Sequence, residues 1–166
     1  MIEIDGKKYF LSADLVNSIK SEIENQEVIT KVMDRGVIGD TYYFIDTYGR
    51  VTKFEEYQFP VNQIHYEIAN YCRDKDLMTQ RALYEELDRL LWRYSIISDT
   101  GVRYIGKPWW RIVYDNCLKR FDVLESYDVS SNQVYFDNRD AAFQAIEEIV
   151  KPFMEKHPDF IFGHRR

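Results

Sequence analysis

The stretch that most constrains this chain is residues 133–150, QVYFDNRDAAFQAIEEIV. It opens on a short apolar run, Val134-Tyr135-Phe136, breaks at Asp137-Asn138, and continues with Ala142, Ala145, Ile146 and Ile149 at helical spacings of three and four. Asn138 stands where an N-cap belongs, because its side-chain oxygen can accept from the free N–H groups of a first turn. Asp140 adds the negative charge that a helix N-terminus favours. The pattern predicts a strand, a tight turn, and an amphipathic helix folded back on the strand.

A second stretch repeats the first. Asn70-Tyr71-Cys72-Arg73-Asp74-Lys75-Asp76 sets beside Val134-Tyr135-Phe136-Asp137-Asn138-Arg139-Asp140, so that Cys72 meets Phe136 and Asp74 meets Asn138 as cap. Met78 and Ala82 then fall where Ala142 and Ile146 fall. Upstream of each lies an aromatic hairpin pattern, Tyr42-Tyr43-Phe44-Ile45 in one and Trp109-Trp110-Arg111-Ile112 in the other. Two β-β-β-α copies fit this order, and so do two unrelated strand–helix units. Two copies make a duplicated domain and not a solenoid, which stacks about three or more repeats.

The rest of the chain fits an α+β fold. Ile2-Glu3-Ile4 and Tyr9-Phe10-Leu11 flank Asp5-Gly6-Lys7-Lys8 as a small hairpin. Ser12 caps a helix with Leu15, Val16, Ile19 and Ile23 on one face, which frays by Asn25, and residues 27–33 read as a short strand. Residues 34–41, with Gly36 and Gly39, read as a loop and the best linker. Two strands around Thr47-Tyr48-Gly49-Arg50 form a hairpin, residues 57–62 around Pro60 a loop, and residues 63–72 an extended segment. Asp74 starts the longest helix, with Leu83, Leu87, Leu90, Leu91 and Tyr94 as its stripe. Residues 102–105 could form a short strand, and residues 109–114 and 118–124 a further hairpin. Pro152 should end or kink the last helix, after which Phe160-Ile161-Phe162 docks on the core and residues 163–166 trail loosely. The division expected is 1–33 for the N-terminal hairpin and helix, 34–97 for the first sheet–helix unit, and 98–166 for the second.

Length and composition narrow the function classes. A chain of 166 residues buries enough surface to fold without disulfide or metal. A net charge of −6 opposes non-specific duplex binding, which depends on neutralising phosphates. Cys72 and Cys117 read as buried free thiols of a reducing compartment, and the start of the chain shows no signal peptide. With no apolar run near the ~20 residues that span a bilayer, the expected location is cytoplasmic.

Candidate chemistry is sparse. Gly101-Val102-Arg103-Tyr104-Ile105-Gly106-Lys107 matches seven positions of a P-loop, but Pro108 stands where Ser or Thr should hold magnesium, and Pro-Trp-Trp is a poor helix start. His65, His157 and His164 have no metal-ligand spacing. No nucleophile elbow is present, and Cys117 beside Asn116 has no evident base. The pairs Glu55-Glu56, Glu85-Glu86 and Glu147-Glu148 read as solvated faces. No catalytic residue, metal site or cofactor is therefore expected. The 16% aromatic content allows a stacking platform for single-stranded nucleic acid, with Tyr42, Phe44 and Trp109 stacking and Arg50, Arg103, Arg111 and Arg120 on phosphates. Such a platform needs these rings on an exposed sheet face, and only alternate strand residues share a face.

The order of features resembles a group of phage and prophage proteins of low-GC bacteria. The resemblance rests on the opening Ile-x-Ile-Asp-Gly-Lys-Lys-Tyr hairpin with its Ser-capped helix, and on Gly39-Asp40-Thr41-Tyr42-Tyr43-Phe44-Ile45-Asp46 followed by Tyr48-Gly49-Arg50-Val51. It extends to Tyr66-Glu67-Ile68-Ala69-Asn70-Tyr71 before the long helix, and to Val134-Tyr135-Phe136 leading into Ala141-Ala142-Phe143-Gln144-Ala145-Ile146. Cys72 and Ala69 stand where that group tends to have Phe and Gly. The resemblance carries no catalytic residue. It implies a small accessory protein that binds a host or CRISPR–Cas protein in the host cytoplasm. The resulting expectation is a non-enzymatic binding protein, such as an anti-CRISPR using acidic mimicry of nucleic acid. Glu55, Glu56, Glu85, Glu86, Tyr42 and Trp109 would then be its partner-binding residues. The alternative is the single-stranded nucleic-acid binder.

Overall fold

The computed structural model describes residues 2–4, 7–9, 12–99, 107–115, 117–129 and 133–162. The expected Asp5-Gly6 turn, the strand at 102–105, the body of the P-loop match and the tail 163–166 lie outside the described residues. The architecture is α+β, with three two-stranded antiparallel sheets interleaved with helices. Two compact units divide the chain: Met1–Asp46 with Val51–Lys75, and Thr47–Arg50 with Asp76–Arg166. The breaks therefore fall elsewhere than the expected 33/34 and 97/98.

In the first unit, β1 (Ile2–Ile4) and β2 (Lys7–Tyr9) pair with Ile4 opposite Lys7, so the second strand starts earlier than the apolar run Tyr9-Phe10-Leu11 suggests. Ser12 does cap the next helix: its Oγ accepts from the Leu15 N–H at 3.2 Å. That helix, α1 (Ala13–Met33), runs on through the stretch expected to be a strand. Val28, Ile29, Thr30 and Val32 are β-branched, but each costs only a few tenths of a kcal/mol in a helix, and no Gly or Pro interrupts the segment.

The sheet of β3 (Thr41–Ile45) and β4 (Val51–Glu55) forms as the pattern predicts, turning on Gly49 at φ +80°. The ladder extends past the strands, with Glu56 N–H donating to the Asp40 carbonyl and Gly39 N–H to the Glu56 carbonyl, each at 2.8 Å. The segment after it overturns two expectations. Residues 57–72 are not a loop and an extended run; they hold a helix, α2 (Pro60–Glu67), with Pro60 at its first turn. Proline is favoured there because its missing N–H would have no intrahelical partner. Ile64, Tyr66 and Ile68 alternate as in a strand, but the apolar residues at 61, 64 and 68 fit a helical face equally well.

The second unit is built on α3 (Lys75–Ile97, whose first residue falls in the first unit), β5 (Trp109–Asp115), β6 (Arg120–Ser126), α4 (Arg139–Ala145) and α5 (Lys151–Lys156). β6 begins two residues later than expected, because the Asp115 carboxylate accepts from the N–H groups of Cys117 and Leu118 and holds them in a turn closed by Lys119 at φ +52°. Cys117 is consequently exposed, against the expected burial, whereas Cys72 is buried. Asn138 caps α4 as its position implies, accepting from Ala141 N–H at 2.7 Å. Pro152 neither ends nor breaks the helix. A π turn, Ile146–Val150, widens the chain immediately before it, with Lys151 N–H reaching back to the Ile146 carbonyl. A proline ring conflicts with the carbonyl four residues earlier, and the wider turn accommodates it.

The core of this unit gathers Leu87 and Leu91 of α3, Val123 of β6, Phe136, and Ala142, Ala145, Ile146, Val150 and Phe153 along the last helical run. Phe160 joins them and Phe162 packs against them, as the sequence implies. Gln80 holds that segment to α3 by donating to the Asp159 carbonyl and accepting from Ile161 N–H.

The two strand–helix segments share one local arrangement. Cys72 makes an isolated antiparallel bridge with Tyr43, and Phe136 makes one with Trp110. Both are doubly hydrogen-bonded, at 2.7 and 3.0 Å in one case and 2.9 and 2.8 Å in the other. Each helix then begins three residues later, at Lys75 and at Arg139. Met78, Ala82, Ala142 and Ile146 are all buried. The third strand of each copy is thus a single bridged residue and not the expected run such as Val134-Tyr135-Phe136.

Candidate functional site

The most organised set of side chains lies in the first unit, on the face of β3–β4 that carries Tyr42, Phe44 and Phe54. Tyr71 stacks on Tyr42 at 4.1 Å, and His65 of α2 stacks on Phe44 at 4.1 Å. Continuing the same alternation, Glu56 points inward with Phe54, and its side chain is 0% exposed.

A buried carboxylate needs compensation, and the loop after α1 supplies it. Arg35 forks onto Glu56, with Nη2 at 3.1 Å from Oε1 and Nε at 3.2 Å from Oε2. Gln58 N–H donates to Oε1 at 2.6 Å, and the nearby Tyr71 hydroxyl also favours the charged carboxylate. Burial works to raise the Glu56 carboxyl, but these donors and the guanidinium charge hold it below its ordinary range. The Arg35 value is raised by its bond to Glu56. Arg35 further donates to the Gln63 side-chain Oε1 on α2, and Gln63 Nε2 donates to the Glu67 carboxylate. Gly36 N–H donates to the Tyr71 hydroxyl at 2.9 Å, so the expected linker is tied into the network. A Cβ on Gly36 would stand 2.8 Å from the Asp40 Cβ, which only glycine avoids.

Asn62, fully buried, orients the second half. Its Oδ1 accepts from Phe59 N–H at 3.0 Å, and its Nδ2 donates to the Glu55 carbonyl at 3.0 Å and to the Tyr42 hydroxyl at 3.1 Å. The two backbone partners fix which end of the amide is which. Tyr42 therefore accepts from Asn62, and its hydroxyl also shares a hydrogen bond with His65 Nδ1, 2.9 Å away. Burial lowers the His65 value, because the charged imidazolium is poorly solvated there. Burial also raises Tyr42 and Tyr71 above the ordinary phenol value.

This inward use of polar residues turns α2 inside out. Asn62 and His65 face the sheet, while Val61 (43%), Ile64 (54%) and the C-capping Ile68 (60%) are exposed at spacings of three and four. Tyr57 and Phe59, packed ring to ring at 5.7 Å, extend the exposed apolar surface at the helix entry. Exposed Glu55, which accepts from the Tyr57 hydroxyl, and exposed Glu67 add negative charge beside it.

The six expected partner-binding residues divide between the two units, Glu55, Glu56 and Tyr42 in the first and Glu85, Glu86 and Trp109 in the second. Glu56 and Tyr42 are fully buried members of the network, which corrects both the solvated-face and the stacking-platform readings. Glu55 alone of the first pair is exposed. Glu85 and Glu86 lie half-buried on α3 in the second unit, where Glu85 pairs with Arg81 and Arg89. Trp109 is half-buried on β5. Of the expected phosphate ligands, Arg50 lies over Tyr48, Arg111 donates to Gln133, Arg120 pairs with Asp122 at 3.7 Å, and Arg103 lies outside the described residues. Sequence reasoning missed Arg35, Asn62, Gln63 and His65. The available signal was Pro60 followed by helical spacing.

Among the described residues, no group of three or more His, Cys, Asp or Glu is placed to hold a metal ion, and no helix is long and apolar enough to cross a membrane. No family model, no curated protein and no solved structure matches the chain.

Proposed function

We propose that this is a non-enzymatic binding protein that docks a partner protein through the outward face of α2. The inverted amphipathicity of that helix carries the reading: a lone helix gains by burying Ile64 and Ile68, yet the fold spends its inward face on Asn62 and His65. Contiguous exposed apolar residues rimmed by polar ones mark interaction surfaces. The carboxylates of Glu55 and Glu67, in a chain of net charge −6, favour a partner whose apolar groove is edged by Lys or Arg. The rigid network beneath would hold the face in one shape, which reduces the ordering cost of binding. A host or CRISPR–Cas protein, the class implied by the resemblance to phage proteins, is the first partner to test. Acidic mimicry through Glu55, Glu56, Glu85 and Glu86 is no longer the favoured mode, since Glu56 is buried and Glu85 is paired with arginines.

The test compares the wild type with Ile64→Asp/Ile68→Asp in nuclease-treated capture, with sedimentation of each protein alone. The expected result is a stoichiometric protein bound by the wild type and lost in the double variant at unchanged circular dichroism. Equal capture by both would overturn the reading. Concentration-dependent dimerisation of the wild type alone would make a second copy the occupant and remove the heterologous partner.

A further inference from the structure

The duplicated backbone exposes a difference between the copies. In an antiparallel pair, residues alternate between those bonded to the partner strand and those whose N–H and C=O face away. Tyr43 and Trp110 use their outward groups on Cys72 and Phe136, so two residues on, Ile45 and Ile112 face the same outer edge. In the first copy that edge is filled by a side chain: Asn70 Oδ1 accepts from Ile45 N–H and Asn70 Nδ2 donates to the Ile45 carbonyl, both at 2.8 Å. The residue equivalent to Asn70 is Val134, which can do neither. Among the described residues nothing pairs with the outer edge at Ile112.

A cleft of about 260 Å³ opens at that place, flanked by Ile112 and Val134 and walled by Leu87, Leu91 and Phe162. Arg111 lines it too. Its Nη1 donates to Gln133 at 3.0 Å, while its Nε–H is buried without an acceptor among the described residues. A buried donor left unpaired is destabilising, so the position favours a ligand carbonyl. Asp88 also lines the cleft and offsets the guanidinium charge, which favours a neutral ligand over an anion.

We propose that the outer edge of β5 is a second binding site, for an extended apolar peptide segment that adds as a strand. One residue of the peptide would take the place that the Asn70 amide occupies in the first unit, its carbonyl accepting from Ile112 N–H and its N–H donating to the Ile112 carbonyl. A neighbouring carbonyl would accept from Arg111 Nε, and apolar side chains would fill the cleft. This site is independent of the α2 face.

The probe is the blocked peptide acetyl-Thr-Val-Leu-Thr-amide, titrated into the full chain to about 5 mM and followed by amide NMR shifts and hydrogen exchange. Slowed exchange of the Ile112 amide is expected, together with a loss of about tenfold in affinity when both central amides are N-methylated. Val134→Asn, which restores the first copy's amide, is expected to protect Ile112 without peptide and to abolish binding. Arg111→Met, which leaves the core untouched, is expected to weaken binding. Absence of Ile112 protection in the wild type, or equal binding of the N-methylated peptide, would overturn the proposal. So would protection that rises with protein concentration alone, which would make the occupant a second copy of the chain.

Discussion

At the residue scale, four titrating side chains in one network set how the protein responds to pH. His65 has a folded value below its ordinary 6.5, so its contribution to stability is complete above 6.5 and is lost as pH falls through the folded value. Glu56, held below 4.5, acts in the same direction at lower pH. Tyr42 and Tyr71 have folded values above 10.0, so their contribution is complete below 10.0 and is lost as pH rises through those values. Thermal melts should therefore be flat from 6.5 to 10.0 and fall on both sides, and His65→Gln should remove the upper part of the acid limb. Tyr42→Phe deletes the hydroxyl that joins Asn62 to His65, with an expected loss of about 1–2 kcal/mol by urea unfolding. Gly36→Ala should cost about 1–3 kcal/mol through overpacking against Asp40, and equal stability would show that the loop yields freely.

At the element scale, α2 separates stability from binding. Its inward residues hold the sheet, so Asn62→Leu should destabilise by about 1–3 kcal/mol, leaving the Glu55 carbonyl and Phe59 N–H unpaired. Its outward residues are exposed among the described residues, so Ile64→Lys should change stability by less than about 0.5 kcal/mol. A large loss in Ile64→Lys, measured in the same urea series, would mean that the face is covered in the folded chain.

At the scale of the whole molecule, the two strand–helix segments share a bridged position but fill it differently. Cys72 and Phe136 hold equivalent bridged positions, yet only Phe136 is part of the large core with Leu87, Val123 and Val150. Phe136→Ala should therefore cost about 3–5 kcal/mol. Cys72→Ala removes one sulfur and should cost about 1 kcal/mol, by the smaller apolar surface lost. Comparable losses at the two positions would contradict this asymmetry.

What the sequence determined alone was the local order. Hairpins, the Ser12 and Asn138 caps, the long helix, the docked Phe160 and the pairing of Cys72 with Phe136 as equivalents all follow from interactions spanning a few residues or from a repeated pattern. The tertiary structure decided what became of the polar residues. Glu56 and Glu55 are adjacent carboxylates with no local sign that one is buried; that depends on Arg35, twenty-one positions away. Residues 60–68 suit either a strand or a helix by apolar spacing, and which side turns inward depends on the Tyr42 hydroxyl and the Glu55 carbonyl as partners for Asn62. A charge or amide can be buried only where distant groups satisfy it. Those groups meet only when the chain is folded, and so neither the network nor the apolar face opposite it is written in any one segment.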